Sequence, residues 1–257
     1  MSGIFLHNPT RYALAFVPSR VRHPARWLTL VAKQVFEIHP DGSLQAASRT
    51  RWLGEQSDAT TFDPERLAES EVLYDGDLVP WKPRGELLVV GAAHLPKPAA
   101  VATIGVKIGT AIRKQAAVLG PRTWSRGVLS RTPSDPAPTQ TVALRWSLAV
   151  AGLDNPAGVP LDGSAPPPQI ERPDHLFTGG GSPPAPIGFG PINRRWPSRR
   201  RWLGRYDERW SRTRAPGLPD DFDFAYFLAA PADQQLPGFW AGDETIETQN
   251  LLPADRA

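Results

Sequence analysis

The sequence of 257 residues contains no cysteine. This absence excludes disulfides, zinc–thiolate sites, iron–sulfur clusters and cysteine nucleophiles. An excess of charge is also missing, since 29 Lys and Arg face 26 Asp and Glu for a formal net charge of +3. A surplus this small does not by itself indicate a nucleic-acid partner.

Long apolar runs are scarce as well. The first Lys or Arg is Arg11, and the apolar run from Tyr12 to Val17 is about half as long as a signal-peptide core. No uncharged apolar stretch approaches the roughly 20 residues of a membrane span. We therefore expect a soluble protein in the cytoplasm.

Motifs for metal binding or nucleophilic catalysis are equally rare. The histidines are scattered and lack the short spacings of metal ligands. Residues 179–181 are three glycines, but no lysine follows them as in a phosphate-binding loop, and this run is typical of a flexible turn. The Gly-x-Ser-x-Gly motif of serine hydrolases is absent. We predict no metal and no cofactor.

Two acidic groups remain as candidates for acid–base chemistry, namely Asp75 with Asp77, and Asp220 and Asp221 with Asp223. Paired carboxylates can act as proton donor and acceptor when their surroundings separate their pKa values. Both groups lie beside Pro or Gly, where aspartate commonly stabilises turns and helix caps. We predict structural roles and keep a carboxylate-dependent hydrolase as an alternative.

Apolar and β-branched runs in the first two thirds of the sequence predict β-strands. The candidate strands are residues 27–38, 43–53, 85–95, 100–108, 111–119 and 139–150. Turn residues at 39–42 and 109–110 predict two hairpins. Short helices are predicted at 63–70 and at 221–229, the second one capped by Asp220 and Asp221.

The composition changes at residue 155. Residues 155–190 are rich in Pro and Gly. In the whole sequence these two residue types account for 51 of 257 residues (29 + 22). This segment is either an ordered surface loop or a mobile linker, and the aromatic residues beyond it favour the loop. We predict one domain over residues 1–257, mainly β with antiparallel, sandwich-like sheets, few short helices and a long irregular Pro/Gly-rich C-terminal third. The aromatic residues expected to pin that third are Trp196, Trp202, Trp210, Phe222 and Phe224.

The densest basic stretch runs from residue 194 to residue 210 and interleaves arginine with aromatic residues. We predict that it binds a partner through Arg194, Arg195, Trp196, Arg199, Arg200, Arg201, Trp202, Arg205, Tyr206 and Trp210. Arg, Trp and Tyr are favoured at protein interfaces, and they also suit phosphate contacts with base stacking. A protein partner, a nucleic acid and a solvated arginine face packed over tryptophan are the three alternatives, with nucleic acid the least favoured.

Several segments, read in order, resemble one bacterial family over nearly the whole chain, the domain of unknown function 2169 family. They are DLVPWKPR (77–84), ELLVVG (86–91), RTW (122–124), PIGFGPI (186–192), Arg195-Trp196, GRYDERW (204–210), LPDDFD (218–223), AAPADQ (229–234), GDE (242–244) and NLLP (250–253). The resemblance implies a non-enzymatic adaptor or chaperone of the type VI secretion system. Such a protein would hold an effector and help to load it onto the spike built from VgrG and PAAR proteins.

Overall fold

The protein is a mainly β chain assembled from small antiparallel sheets. The computed structural model describes residues 7–18, 27–48, 53–54, 58–59, 70–126 and 131–253. Two short α-helices and three 3-10 turns accompany the strands within these ranges. The predicted fold class, mainly β with antiparallel sheets and few short helices, is confirmed.

The strands and helices are numbered here in chain order. The strands are β1 (Ala13–Pro18), β2 (Leu28–Lys33), β3 (Phe36–Ile38), β4 (Leu44–Ala46), β5 (Asp58–Ala59), β6 (Val72–Tyr74), β7 (Ala92–Ala99), β8 (Val101–Ile108), β9 (Ile112–Leu119), β10 (Trp124–Arg126), β11 (Arg131–Pro133), β12 (Thr139–Ala143), β13 (Ile170–Glu171) and β14 (Ile246–Gln249). The helices are α1 (Pro197–Arg200) and α2 (Glu208–Thr213), and the 3-10 turns are Trp146–Leu148, Phe224–Phe227 and Ala232–Gln234.

The largest sheet has four strands in the order β13-β9-β8-β14. Strands β8 and β9 form a long hairpin, which pairs Val101 with Leu119 at one end and Ile108 with Ile112 at the other. Gly109 in its turn has a φ of 49°, a conformation that glycine adopts without a Cβ clash. The hairpin predicted at this turn is confirmed. The remaining sheets have two strands each: β1-β2, β3-β4, β5-β6, β7-β12 and β10-β11.

One hydrophobic core joins the central sheet to the sheet of β7 and β12. Ile104 and Ile108 on β8 are almost completely buried, whereas Lys107 is exposed. This alternation is typical of a strand with one face toward the core and the other toward solvent. Phe189 enters the same core from the Pro/Gly-rich segment. A Cβ on the preceding Gly188 would lie 2.6 Å from the Trp146 ring, so glycine permits this close approach.

Several predicted strands differ from the structure in their bounds. The run 27–38 is divided into β2, which pairs with β1, and β3, which pairs with β4. The chain leaves the first sheet next to Lys33, whose ammonium group binds Asp77 at 2.7 Å. In the run 85–95, Glu86 forms an isolated bridge with Gln235, and β7 begins only at residue 92. The hairpin predicted at 39–42 is formed by the shorter strands β3 and β4.

The predicted strand 139–150 ends at residue 143, and a 3-10 turn follows at Trp146–Leu148. The buried carboxylate of Glu71 holds this turn, because it accepts hydrogen bonds from the Trp146 N–H at 2.9 Å and from the Ser147 hydroxyl at 2.8 Å. A contact made over 75 residues of sequence thus overrides the local β propensity.

The predicted C-terminal helix, 221–229, is a 3-10 turn at Phe224–Phe227. Its cap is Asp223, whose carboxylate accepts a hydrogen bond from the Ala225 N–H at 2.7 Å. Asp220 and Asp221 do not cap it. Residues 63–69 of the other predicted helix lie outside the described residues.

Residues 155–190 are attached to the central sheet through β13, which pairs with β9. The buried carboxylate of Glu171 binds the Arg122 guanidinium group and accepts a hydrogen bond from the Phe177 N–H at 2.6 Å. Arg122 also donates to the carbonyl groups of Pro168 and Phe177. The segment is therefore joined to the core by a buried ion pair.

Candidate partner-binding surface

The Arg–Trp segment, defined here as residues 194–210, is anchored by Trp196. This residue precedes α1, with Pro197 at the first helical position, where its missing N–H leaves no hydrogen bond unmade. The Trp196 ring is completely buried and meets the Trp146 ring edge-on, with the ring centres 5.6 Å apart. Such aromatic pairs contribute about 0.5–1.5 kcal/mol beyond the burial of their area.

Arg199 lies one helical turn after Trp196 and is also buried. Its guanidinium group donates to the Ile192 carbonyl at 2.7 Å, to the Tyr226 carbonyl at 2.8 Å and to the Asp75 carboxylate at 3.0 Å. Burial lowers the pKa of Arg199, and the charge of Asp75 counters that shift. The group remains a cation, because arginine is not deprotonated in proteins.

Arg194 binds the second oxygen of Asp75 at 3.0 Å. Two arginines of the segment, Arg194 and Arg199, thus form ion pairs with Asp75, whose side chain is 5% exposed. Trp196 and Arg199, two of the predicted partner-binding residues, belong to the interior. Their side chains support the segment and do not present a surface to a partner.

The remaining predicted residues form the outer face of the segment. The exposed ones are Arg195, Arg200, Arg201, Arg205 and Tyr206, and the half-buried ones are Trp202 and Trp210. The Arg201 guanidinium lies 4.7 Å from the centre of the Trp202 ring, a cation–π contact. The Tyr206 and Trp210 rings also lie 4.7 Å apart, and the Trp210 indole donates to the Gly217 carbonyl at 2.8 Å. These contacts fix aromatic surface beside exposed guanidinium groups.

The predicted acidic groups are engaged in structural contacts. Asp77 binds Lys33 and also accepts from the Gly54 N–H at 2.9 Å. Asp220 binds Arg214 at 2.5 Å, and Asp221 binds Arg205 at 3.4 Å. The last two pairs line a cavity of about 250 Å³ beside Trp210. Within the described part of the chain, no three His, Asp or Glu side chains are grouped as metal ligands.

A second surface, which the sequence reasoning did not single out, is the apolar face of the hairpin β3–β4. Phe36 is 50% exposed and Leu44 is 65% exposed, and both lie on the same face as Ile38. Leu30 on the neighbouring β2 is 55% exposed. The alternation of Phe36 and Ile38 around Glu37 was the available signal, but it does not say which face is buried.

The ordered segments quoted above agree with a comparison against known families. A family model described as an uncharacterized protein conserved in bacteria, DUF2169, matches residues 23–257. The chain belongs to the DUF2169 family. The match includes the whole Arg–Trp segment, Asp75 and the apolar hairpin face, so these features lie within the DUF2169 domain. No curated protein and no solved structure matches the chain. Among the described residues, no helix is long and apolar enough to cross a bilayer.

Proposed function

We propose that this DUF2169 protein is a non-enzymatic adaptor that binds a type VI secretion effector in the cytoplasm and helps to load it onto the VgrG/PAAR spike. The secretion role comes from the family resemblance of the sequence. The observation that carries protein binding is the outer face of the Arg–Trp segment, where arginine and aromatic side chains stand on a buried base.

The rigid base favours this proposal for an energetic reason. Binding costs about 0.5–1.5 kcal/mol for each flexible side chain that an interface immobilises. Trp196 and Arg199 already hold α1, and ring contacts already hold Trp202 and Trp210. The face is thereby preorganised, and Arg, Trp and Tyr are the residues most often found as interface hot spots.

The exposed apolar face of β3–β4 also favours a protein partner. Contiguous apolar patches on soluble proteins commonly mark interaction sites. The carboxylate-dependent hydrolase receives no comparable support, because its proposed acids Asp75, Asp77 and Asp223 already bind arginine, lysine or a backbone N–H.

Co-purification from the native host tests the proposal. We expect the tagged protein to retain a type VI effector or a spike protein, identified by mass spectrometry. The double variant Arg200→Ala, Arg201→Ala should weaken that binding about tenfold or more, since arginine is enriched among the interface residues whose truncation costs above about 1 kcal/mol. The control Lys97→Ala, Arg113→Ala removes two exposed cations elsewhere and should leave binding unchanged.

Salt dependence separates protein binding from nucleic-acid binding at the same arginines. A nucleic-acid site loses affinity steeply with salt as counterions are released from phosphates. An interface anchored by desolvated aromatic residues depends on salt more weakly. If the double variant lost only a strongly salt-dependent DNA affinity and kept its protein partner, the Arg–Trp segment would be a nucleic-acid site.

A further inference from the structure

A cleft of about 530 Å³ lies between the N-terminal strands and the chain that precedes β7. Its lining residues are Val31, Ala32, Lys33, Leu53, Gly54, Leu73, Tyr74, Asp75, Gly76, Asp77, Lys82, Leu88 and Val90. The volume falls within the roughly 300–1,000 Å³ of ordinary ligand sites. The cleft is distinct from the outer face of the Arg–Trp segment.

In the segment 87–90, the described backbone hydrogen bonds are made by alternate residues. The Leu87 N–H donates to the Gln234 carbonyl at 2.9 Å, and the Val89 N–H donates to the Phe189 carbonyl at 3.1 Å. In an extended chain, alternate residues direct their N–H and C=O groups to opposite edges. The backbone groups of Leu88 and Val90 therefore face the other edge, and no described residue hydrogen-bonds to them.

Strand β2 contributes a second free edge to the same cleft. Over the described ranges, β2 pairs with β1 alone, and Val31 to Lys33 line the cleft. Unpaired backbone groups at a strand edge are a template for another strand, and β-strand addition is a common mode of peptide binding.

The charges in the cleft are balanced by internal pairs. Lys33 binds Asp77, Lys82 binds Glu86, and Asp75 binds two arginines. Among the described lining residues, every cation and carboxylate is therefore engaged in an internal pair. The surfaces available for recognition are the backbone edge and the apolar side chains of Val31, Leu88 and Val90, among others.

We propose that this cleft binds one extended, apolar and uncharged peptide segment of a partner protein by strand addition to Leu88 and Val90. The identity of that partner, an effector or spike protein, rests on the proposed adaptor function. A second copy of this chain fits less well, because each of its described edge strands is already paired with another strand that would have to enter with it. The cleft is enclosed by several separate segments of the chain, so that a single extended peptide fits it better than a paired strand.

Backbone hydrogen exchange and peptide binding test the proposal directly. The probe is a mixture of end-capped heptapeptides in which Val, Ile, Leu or Phe alternates with Thr. In the free protein we expect the amides of Leu87 and Val89 to exchange slowly and those of Leu88 and Val90 to exchange fast. The probe should slow the exchange of Leu88 and Val90 at least tenfold without changing the oligomeric state.

Two variants make the binding result specific. Val31→Trp places a large ring in the cleft, because Val31 lies on the same strand face as Lys33, which binds Asp77 there, and it should weaken probe binding at least tenfold. Val101→Trp changes an exposed strand position that does not line the cleft and should bind the probe as the wild type does. Thermal unfolding of both variants verifies that they are folded.

Each contrary result has its own meaning. Slow exchange of Leu88 and Val90 in the free protein would show that this chain covers its own edge, and unchanged exchange with the probe would show an inert cleft; either overturns the proposal. Protection that appears only with dimer formation would assign the edge to a second copy and overturn it too. If the host partner is captured equally by wild type and Val31→Trp, the adaptor function stands and the cleft proposal fails. If the probe binds but no effector or spike protein is captured, the cleft proposal stands and the adaptor function fails.

Discussion

Lys114 is a cation that β9 carries into the protein interior. Its side chain is 3% exposed, its ammonium group binds Asp233 at 2.8 Å, and it lies 5.1 Å from the centre of the Phe189 ring. Burial lowers the pKa of Lys114, while the charge of Asp233 acts in the opposite direction. A buried charge of this kind costs stability that its partner only partly returns.

Replacing the two partners should therefore have unequal effects. Lys114→Met removes the buried charge and leaves Asp233 half exposed in water, so we expect stability that is unchanged or higher. Asp233→Asn leaves the ammonium group buried and should cost about 1–3 kcal/mol, below the roughly 3–5 kcal/mol of a fully buried pair because water screens Asp233. Urea unfolding of both variants measures the difference, and a larger loss for Lys114→Met would contradict it.

The same residue predicts a pH dependence. In the unfolded chain, Lys114 has its ordinary pKa of 10.5, and in the folded protein its pKa is lower. Between these two values unfolding takes up a proton, so the free energy of unfolding rises with pH through that window. Comparing wild type with Lys114→Met from neutral pH to about pH 10 isolates this contribution, since Met does not titrate. Parallel curves for the two proteins would refute it.

Burial of single residues in the Arg–Trp segment could not be read from the local sequence. A run of arginine and tryptophan is typical of a surface, yet Arg199 is buried because Asp75 binds it from 124 residues away. The one local signal was the spacing of Trp196 and Arg199, since residues three apart share a face of a helical turn. The predicted roles of the exposed arginines stay predictions.

At the scale of elements, the pair of Arg122 and Glu171 joins the Pro/Gly-rich segment to the central sheet through β13. Glu171→Ala should destabilise the protein by about 3–5 kcal/mol, because it leaves a buried guanidinium group unpaired. Arg122→Met combined with Glu171→Leu should cost less than Glu171→Ala alone, since neither charge then remains. Urea unfolding gives both values, and equal losses would speak against a buried charge as the cause.

Local chemistry predicted some elements well and others poorly. The β8–β9 hairpin follows from a glycine turn between two alternating runs, so its signal is contained in about 20 neighbouring residues. The 3-10 turn at Trp146–Leu148 depends on Glu71, and the open backbone edge at Leu88 and Val90 depends on which segments surround it. Such long-range contacts leave no mark on local periodicity.

At the scale of the whole molecule, the N-terminal sheets are less embedded than the central one. Described polar contacts from β2 to the rest of the chain are those of Thr29 with the Pro80 carbonyl and of Lys33 with Asp77. Strands β8 and β9, in contrast, are buried on the core face along their length. The stability of the molecule should therefore be unequal from end to end.

Native-state hydrogen exchange should follow this gradient. We expect the amides paired between β8 and β9 to exchange last, near the free energy of global unfolding, and those of β3 and β4 to exchange first. Substituting the exposed Leu44 with Thr should leave the β8–β9 amides unchanged, since it removes no core contact. Uniform protection across the four N-terminal strands and the central sheet would contradict the gradient.

The ion pair of Asp75 with Arg199 also limits how early the native structure can form during synthesis. A ribosome adds about 5–20 residues per second, so the 124 residues that separate these partners take roughly 6–25 s to make. Strand β8 waits still longer for β14, whose Glu247 binds Lys107 across the finished sheet. The nascent chain thus emerges with an open sheet edge and a carboxylate still in water, and its native architecture closes only after β14 has been synthesised.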